Sequence, residues 1–446
     1  MEKVFKIDKQ TYQDLQIFGE HQRSVFSCFD STVTAGGKEA LQYLFYTPSS
    51  DLKVIQSRQD AIRACLQSNA SFPFEHTLIQ DLSQYWRSAF FDADRKSKFW
   101  SILSFWQIYS AEFYYKKRYI LDTLALLRQL EDFLVILNSQ KISIPEFHTM
   151  QEIFAHCLGV MTGSEYKSNK AKVTLANIHL YDEHIRLHLA EEFKTILEFI
   201  YQLDAYIAIA ATAKSRQLTF PEIYLPTSQD QMRIDNLHHI FQQGAVTNDI
   251  VFERKSNLWF LTGANMAGKS TLIKALSIAI YLTHIGLPVP ATAMHMPVLD
   301  GLFTTINLPD NLEAGYSHFY HEAIRLRDII GQLETNSNSF IVLDELFTGT
   351  NYQDAYASTK EVVDGLTKLD RAFIIISSHL TELSAEIKSY PNLRLCCMKT
   401  DLDKNNIPKF TYRLADGVAN EKLGLWLLGR SGLLESVADL TAKYNK

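Results

Sequence analysis

Apolar residues recur at three- and four-residue steps through most of residues 1–218, the spacing of helices that bury one face. The run Ala40–Leu66 shows this period and is interrupted at Pro48. The block Phe99–Leu137 repeats it with many rings: Trp100, Phe105, Trp106, Tyr109, Phe113, Tyr114 and Tyr115. Such rings can stack on bases, but here they mix with Ile and Leu, which favours core packing. Residues 172–214 predict a long heptad-like helical stretch, with Leu187, Leu189, Phe193, Ile196, Leu197, Ile200 and Leu203 on one side. Near Leu218-Thr-Phe-Pro221 the pattern changes. Short apolar runs, Leu258–Leu261, Phe340–Leu343, Ala372–Ile376, Leu393–Met398 and Phe410–Arg413, now alternate with helical stretches. That alternation predicts an α/β domain with a mostly parallel sheet. The expected organisation is therefore α plus α/β: a helical domain over 1–218, then an α/β domain over 219–446.

Composition changes this picture little. The chain of 446 residues is 46% hydrophobic and 21% charged, as in ordinary globular proteins. Its net charge of −6 does not steer it toward nucleic acid in bulk, although a local basic surface can still do so. Five cysteines without a C-x-x-C spacing argue against a disulfide framework or a zinc site. The N-terminus lacks the apolar core of a secretory signal. Residues 275–299 contain no Asp, Glu, Lys or Arg, a length that fits a membrane span. Gly286, Pro288, Pro290 and His284 interrupt it, so a buried helix running into a loop and strand is the expectation. A cytoplasmic protein with no membrane association follows.

One stretch carries explicit chemistry. Thr262-Gly-Ala-Asn-Met-Ala-Gly-Lys-Ser-Thr271 contains the G-x-x-x-x-G-K-[ST] pattern. Glycines such as Gly263 and Gly268 let backbone N–H groups turn inward around a phosphate, with Ala264, Asn265, Met266 and Ala267 between them. Lys269 reaches the terminal phosphates, and Ser270, followed by Thr271, supplies a hydroxyl for Mg²⁺. The loop sits between an apolar run and a buried helix, whose N-terminal dipole then faces the phosphates. ATP and Mg²⁺ are the expected ligands. Farther on, Phe340-Ile-Val-Leu-Asp344-Glu345 describes a buried strand that delivers two acids to its C-terminal end. Asp344 is placed to hold Mg²⁺ and Glu345 to orient or deprotonate water. His379 follows another apolar strand and is expected to sense the γ-phosphate or polarise the water.

Together these residues resemble the ATPase domain of the MutS family of DNA mismatch-repair proteins. The phosphate loop is similar to that family's T-G-P-N-M-G-G-K-S-T, with alanine replacing proline and one glycine. Asp344-Glu-Leu-Phe-Thr-Gly-Thr-Asn351 resembles its D-E-x-x-x-G-T-x stretch, and Ser378-His379 its T-H switch. Asp310-Asn-Leu-Glu-Ala-Gly-Tyr-Ser-His-Phe319 with Glu322 resembles its D-x-L-x-x-G-x-S-x-F-x-x-E element. By that resemblance Ser317 contacts the γ-phosphate of a partner subunit; an ordinary helix N-cap is a compatible role. Asn248 lies where the family lines the adenine pocket. Phe26–Leu41 and Tyr46-Thr-Pro48 look like the start of the family's helical core, which makes 1–218 a core/lever-like domain. Leu414-Ala-Asp-Gly417 and Leu423-Gly424 resemble its closing element. The resemblance implies an ABC-type P-loop ATPase with a composite site at a homodimer interface, acting on DNA and with repair proteins.

Departures qualify that implication. The chain begins at the helical core, without counterparts of the family's mismatch-reading and connector domains, and the DNA-embracing clamp is expected to be reduced. Lys422 replaces a serine, and Tyr412 stands where many members place a base-contacting histidine. A nucleotide-gated scaffold without DNA affinity is therefore the second expectation. An ABC transporter subunit is the weakest reading, because no L-S-G-G-Q element is present.

Overall fold

The computed structural model describes residues 4–19, 23–69, 71–87, 111–138, 145–162, 173–174, 177–227, 230–242, 244–306, 318–402, 408–419 and 431–444. Two compact units emerge. One comprises Met1–Cys28, Thr47–Ile55 and Arg216–Lys446, the other Phe29–Tyr46 and Gln56–Ser215. The change near residue 216 lies close to the expected boundary at 218. A single cut there is nevertheless too simple, because two N-terminal segments belong with the C-terminal residues. Hydrogen bonding gives the reason: strand β1 (Lys6–Ile7) pairs in parallel with a strand at Gly301–Thr305. Helix α1 (Lys9–Asp14) then follows it, and the buried Asp14 accepts hydrogen bonds from Thr304 Oγ1 (2.7 Å) and the Ile306 N–H (2.9 Å).

After the short helix α2 (Val25–Phe29), the helical unit contains α3 (Ala35–Tyr46), most of α4 (Leu52–Gln67), α5 (His76–Arg87), α6 (Ala111–Asn138) and α7 (Pro145–Thr162). It continues through α8 (Ile178–Glu183), a π-helical turn His184–His188, and α9 (Ala190–Arg216), which leaves the unit at Ser215. Helix α3 approaches α9 closely at Gly36-Gly37. A Cβ on Gly37 would lie 2.1 Å from Asp204 Oδ2. Asp204, 1% exposed, accepts hydrogen bonds from the Thr34 N–H at 2.8 Å, the Thr34 hydroxyl at 2.7 Å and the Val33 N–H at 3.0 Å.

The predicted heptad stripe holds from Leu189 to Leu203, all buried, but Leu187 is 56% exposed. The π-helical turn adds a residue to the helical repeat just before α9 and rotates Leu187 off the stripe. Helix α9 is long and apolar enough to cross a membrane, yet 78% of its most apolar window is buried within the protein. Of the aromatic block, Trp100, Phe105, Trp106 and Tyr109 lie outside the described residues. Tyr114 and Tyr115 are exposed, a departure from their expected place in the core.

The other unit is α/β. Its strands are β1, β2 (Glu222–Tyr224), β3 (Gln231–Leu237), β4 (Asn248–Glu253), β5 (Leu258–Thr262), then β6 (Ala293–Pro297) and β7 (Gly301–Thr305) after helix α10 (Lys269–Ile285). Beyond α11 (His318–Leu333) come β8 (Ser339–Asp344), α12 (Tyr352–Leu366), β9 (Phe373–Ser377), α13 (Leu383–Ile387), β10 (Leu393–Leu402) and β11 (Pro408–Asp416). A seven-stranded sheet runs β1-β7-β8-β9-β5-β10-β11, parallel except for the final antiparallel pair. Strands β5, β7, β8 and β9 are buried at every position, as expected of parallel strands covered on both faces. A second sheet, β2-β6-β3-β4, adds antiparallel pairs that the sequence pattern did not reveal. The uncharged stretch 275–299 resolves into the buried body of α10 and strand β6. Gly286, at φ 84, closes the helix by donating its N–H to Leu282 O and Thr283 O.

Candidate nucleotide site

Parallel strands place the candidate site at their C-terminal ends. β5 delivers the glycine loop and α10 begins at Lys269, with Gly268 in a left-handed conformation at φ 102. A side chain at Gly268 would also press on Tyr412, whose Cδ1 lies 3.2 Å from the Cβ position. Glycine is required there twice over. Met266 also takes a positive φ of 69 and is 72% exposed, so the loop carries backbone strain at its tip.

Lys269 is buried, with its Nζ donating to Gly263 O at 2.8 Å and lying 3.9 Å from Glu345 Oε1. Burial lowers its pKa, and the carboxylates of Glu345 and Asp344 oppose that shift. Adjacent Ser270 donates its hydroxyl to Asp344 Oδ2 at 2.7 Å. Burial raises the Asp344 pKa, and its Oδ1 is buried with no hydrogen-bond partner among the described residues. A hydroxyl and an incompletely satisfied carboxylate side by side fit a hard cation that keeps most of its waters, as Mg²⁺ does. Among the described residues no group of three His, Cys, Asp or Glu side chains is placed to hold a metal ion by itself.

Glu345 follows β8 and keeps a ladder-like bond, its N–H donating to Ser377 O at 2.9 Å. Its φ of 53 turns the side chain toward His379, whose Nε2 lies 2.7 Å from Oε1. An ionised carboxylate only accepts, so Nε2 carries the hydrogen of this bond. That bond is the main reason the Glu345 pKa falls below its ordinary value, with the charge of Lys269 adding to it against partial burial. The structure thus brings Lys269, Ser270, Asp344, Glu345 and His379 together. Ser317 lies outside the described residues, as do Lys422, Leu423 and Gly424.

A cavity of about 480 Å³ extends from this cluster. Around the glycine loop it is lined by Ala264, Asn265, Met266, Gly268, Lys269, Ser270, Thr271 and Glu345. Ala267 is fully buried and supports the loop from beneath. The rest of the lining includes Leu237, His238, His239, Val246, Met398 and Tyr412, of which Met398 and Tyr412 also pack on the glycine loop. Asn248 lines it too, but its amide donates to Tyr412 O (3.0 Å) and accepts from the Leu414 N–H (2.7 Å). Its polar ends fasten β4 to β11 and hold the Tyr412 wall. Tyr412 itself has a left-handed φ of 56. Sequence reasoning did not find His238, His239 or Met398, which come from a loop and a strand far from any motif. Burial lowers the pKa of His239, helped by the nearby charges of Lys274 and His238.

Sequence comparison shows which known proteins the chain is similar to. Residues 259–445 match the MutS domain V family. The chain is 27% identical over 263 residues to the DNA mismatch repair protein MutS of Leuconostoc citreum (strain KM20), covering 58% of this chain and 30% of that protein. It is 30% identical over 194 residues to the same-named protein of Ehrlichia ruminantium (strain Gardel), covering 44% and 24%. With that of Wolbachia pipientis wMel it shares 27% identity over 298 residues, covering 64% and 35%. Each alignment thus takes in about a third or less of the relative's length. The chain is MutS-like, and its residues 259–445 are similar to MutS domain V.

Proposed function

We propose that the cavity binds ATP with Mg²⁺ and hydrolyses the nucleotide at the Glu345 end, with Ser317 of a second copy completing the site. The observation that carries this reading is the convergence of Lys269, the Ser270–Asp344 pair and the Glu345–His379 pair where the glycine loop opens into the cavity. Ser270 and Asp344 would hold Mg²⁺, which would supply charge neutralisation for the phosphates. Lys269 exchanges its bond to Gly263 O for the terminal phosphates, whose charge favours its protonated form against the burial that lowers its pKa. Glu345, kept ionised by His379, orients the attacking water and accepts its proton. Backbone N–H groups of the loop and the start of α10 stabilise charge on the leaving diphosphate. Tyr412 offers a ring for the base.

Two dead variants test the shared site. Ser317→Ala and Glu345→Gln are each expected to hydrolyse ATP slowly. Mixed, they form heterodimers in which one of two sites keeps both native groups, so activity returns. No recovery in a mixture shown to exchange subunits contradicts the composite site.

DNA is the proposed partner, supported by the mismatch-repair function named for the relatives, with action in repair or recombination in the cytoplasm. Retention on duplex, mismatched or branched DNA at low salt, weakening steeply as salt rises, is the expected signature. The net charge of −6 favours the scaffold reading instead if no such DNA is bound at low salt.

A further inference from the structure

Glu322 is a carboxylate with no role in the site as drawn above, yet it is 4% exposed. Its Oε2 has no hydrogen-bond partner among the described residues and lies 3.6 Å from His318 Nδ1, one turn earlier on α11. The carboxylate faces the backbone N–H groups of Phe347 and Thr348, on the loop that follows Glu345. Two further contacts join the same elements. The rings of Phe319 and Phe347 lie 5.0 Å apart, and Gly349 sits so close to α11 that a Cβ there would be 2.7 Å from His318 Cβ and 2.9 Å from the Phe319 backbone nitrogen.

The held loop is strained. Glu345 and Phe347 both adopt left-handed φ values, 53 and 61, which non-glycine residues keep only when their surroundings enforce them. Nothing in the Asp344-Glu345-Leu346-Phe347 sequence prefers that conformation. The enforcing contacts come from the first two turns of α11, and the carboxylate they aim is the one bonded to His379.

We propose that Glu322, together with His318 and Phe319, is a positioning element that fixes the loop after Glu345 and so sets where the Glu345 carboxylate lies beside Lys269 and His379. It touches neither nucleotide nor water. Its role rests on Glu345 acting on water in the ATP site. A shift of about 1 Å in a reacting group lowers a rate roughly 100-fold, so loosening this hold acts on the chemical step and leaves the glycine loop and the Tyr412 wall alone.

Glu322→Gln and Gly349→Ala test it in the full chain, with Glu345→Gln measured alongside. The expected result for the first two is a kcat lowered about 10- to 100-fold, by the same misplacement argument. ATP affinity stays within about 2-fold, because its contacts are untouched. Phe319→Leu, a milder change to the same contact, gives a smaller loss of kcat. Should Gly349→Ala fail to fold, the near-isosteric Glu322→Gln decides alone. Wild-type kcat in Glu322→Gln, with Glu345→Gln inactive, overturns the positioning role while leaving the ATP site standing. Loss of ATP affinity in step with activity also overturns it. If Glu345→Gln itself hydrolyses ATP normally, the reading of the site fails first and the proposal with it.

Discussion

The two ends of the cavity are built in opposite ways. At the phosphate end, Gly263 to Thr271 are contiguous, and Asp344, Glu345 and His379 each follow an apolar strand of the same sheet. In the lining proposed to meet the base, Leu237, His238, His239, Val246, Met398 and Tyr412 come from three separate parts of the chain, and Asn248 joins two of them by bonds to the backbone of β11. Chemistry that depends on backbone geometry needs a local motif, because consecutive N–H groups must point at one phosphate. A wall that offers only shape and a ring face can be assembled from anywhere in the fold.

The largest effect that sharpens this contrast concerns the scaffold of the phosphate end. The last turn of α10 carries a fully buried His284, whose Nδ1 donates to Ile280 O at 2.8 Å and whose Nε2 accepts the Leu299 N–H at 3.0 Å. Burial lowers its pKa from 6.5 to about 4, so the unfolded chain takes up a proton first as pH falls. The stability is fully present above about pH 6.5 and is lost progressively down to about pH 4, by roughly 3 kcal/mol in all. Urea midpoints at pH 7 and pH 5, compared between wild type and His284→Gln, check this. The wild type should lose more stability on acidification, and equal losses in both proteins would remove His284 from the account.

A smaller effect is expected at the other end. Tyr412→Ala should weaken ATP binding about 10-fold, from the loss of a stacking face, while Tyr412→Phe stays near wild type. Because Tyr412 is proposed to offer a ring to the base and no polar group to a phosphate, neither substitution should alter the affinity for inorganic triphosphate. A parallel loss for triphosphate would show that the two ends are not separable.

What was legible in the sequence follows the same division. The phosphate loop, the strand ending Asp344-Glu345 and the Ser378-His379 pair were readable because each combines a residue pattern with a local structure that gives it meaning. The parallel sheet was readable from fully apolar runs. Strands β2, β3 and β6 were not, since β6 pairs at long range in a separate sheet, parallel to β2 and antiparallel to β3. The two-residue strand β1, fastened through Asp14 to Thr304 and Ile306, carries no periodicity, and so the N-terminal residues were expected with the helices. Leu187 left its predicted stripe because a π-helical turn cannot be seen in hydrophobic spacing. Glu322 was visible only as part of a motif; its burial against the Phe347–Gly349 loop needed the folded chain.

The most direct test of the central claim is a single-turnover experiment with ATP on the wild type and on Glu345→Gln, measuring bound nucleotide and cleaved phosphate in the same samples. The account predicts equal binding within about 2-fold, because Lys269, the glycine loop and the Ser270–Asp344 pair are intact, with cleavage slowed about 100-fold or more as general-base assistance is lost. Cleavage at the wild-type rate in Glu345→Gln would contradict it.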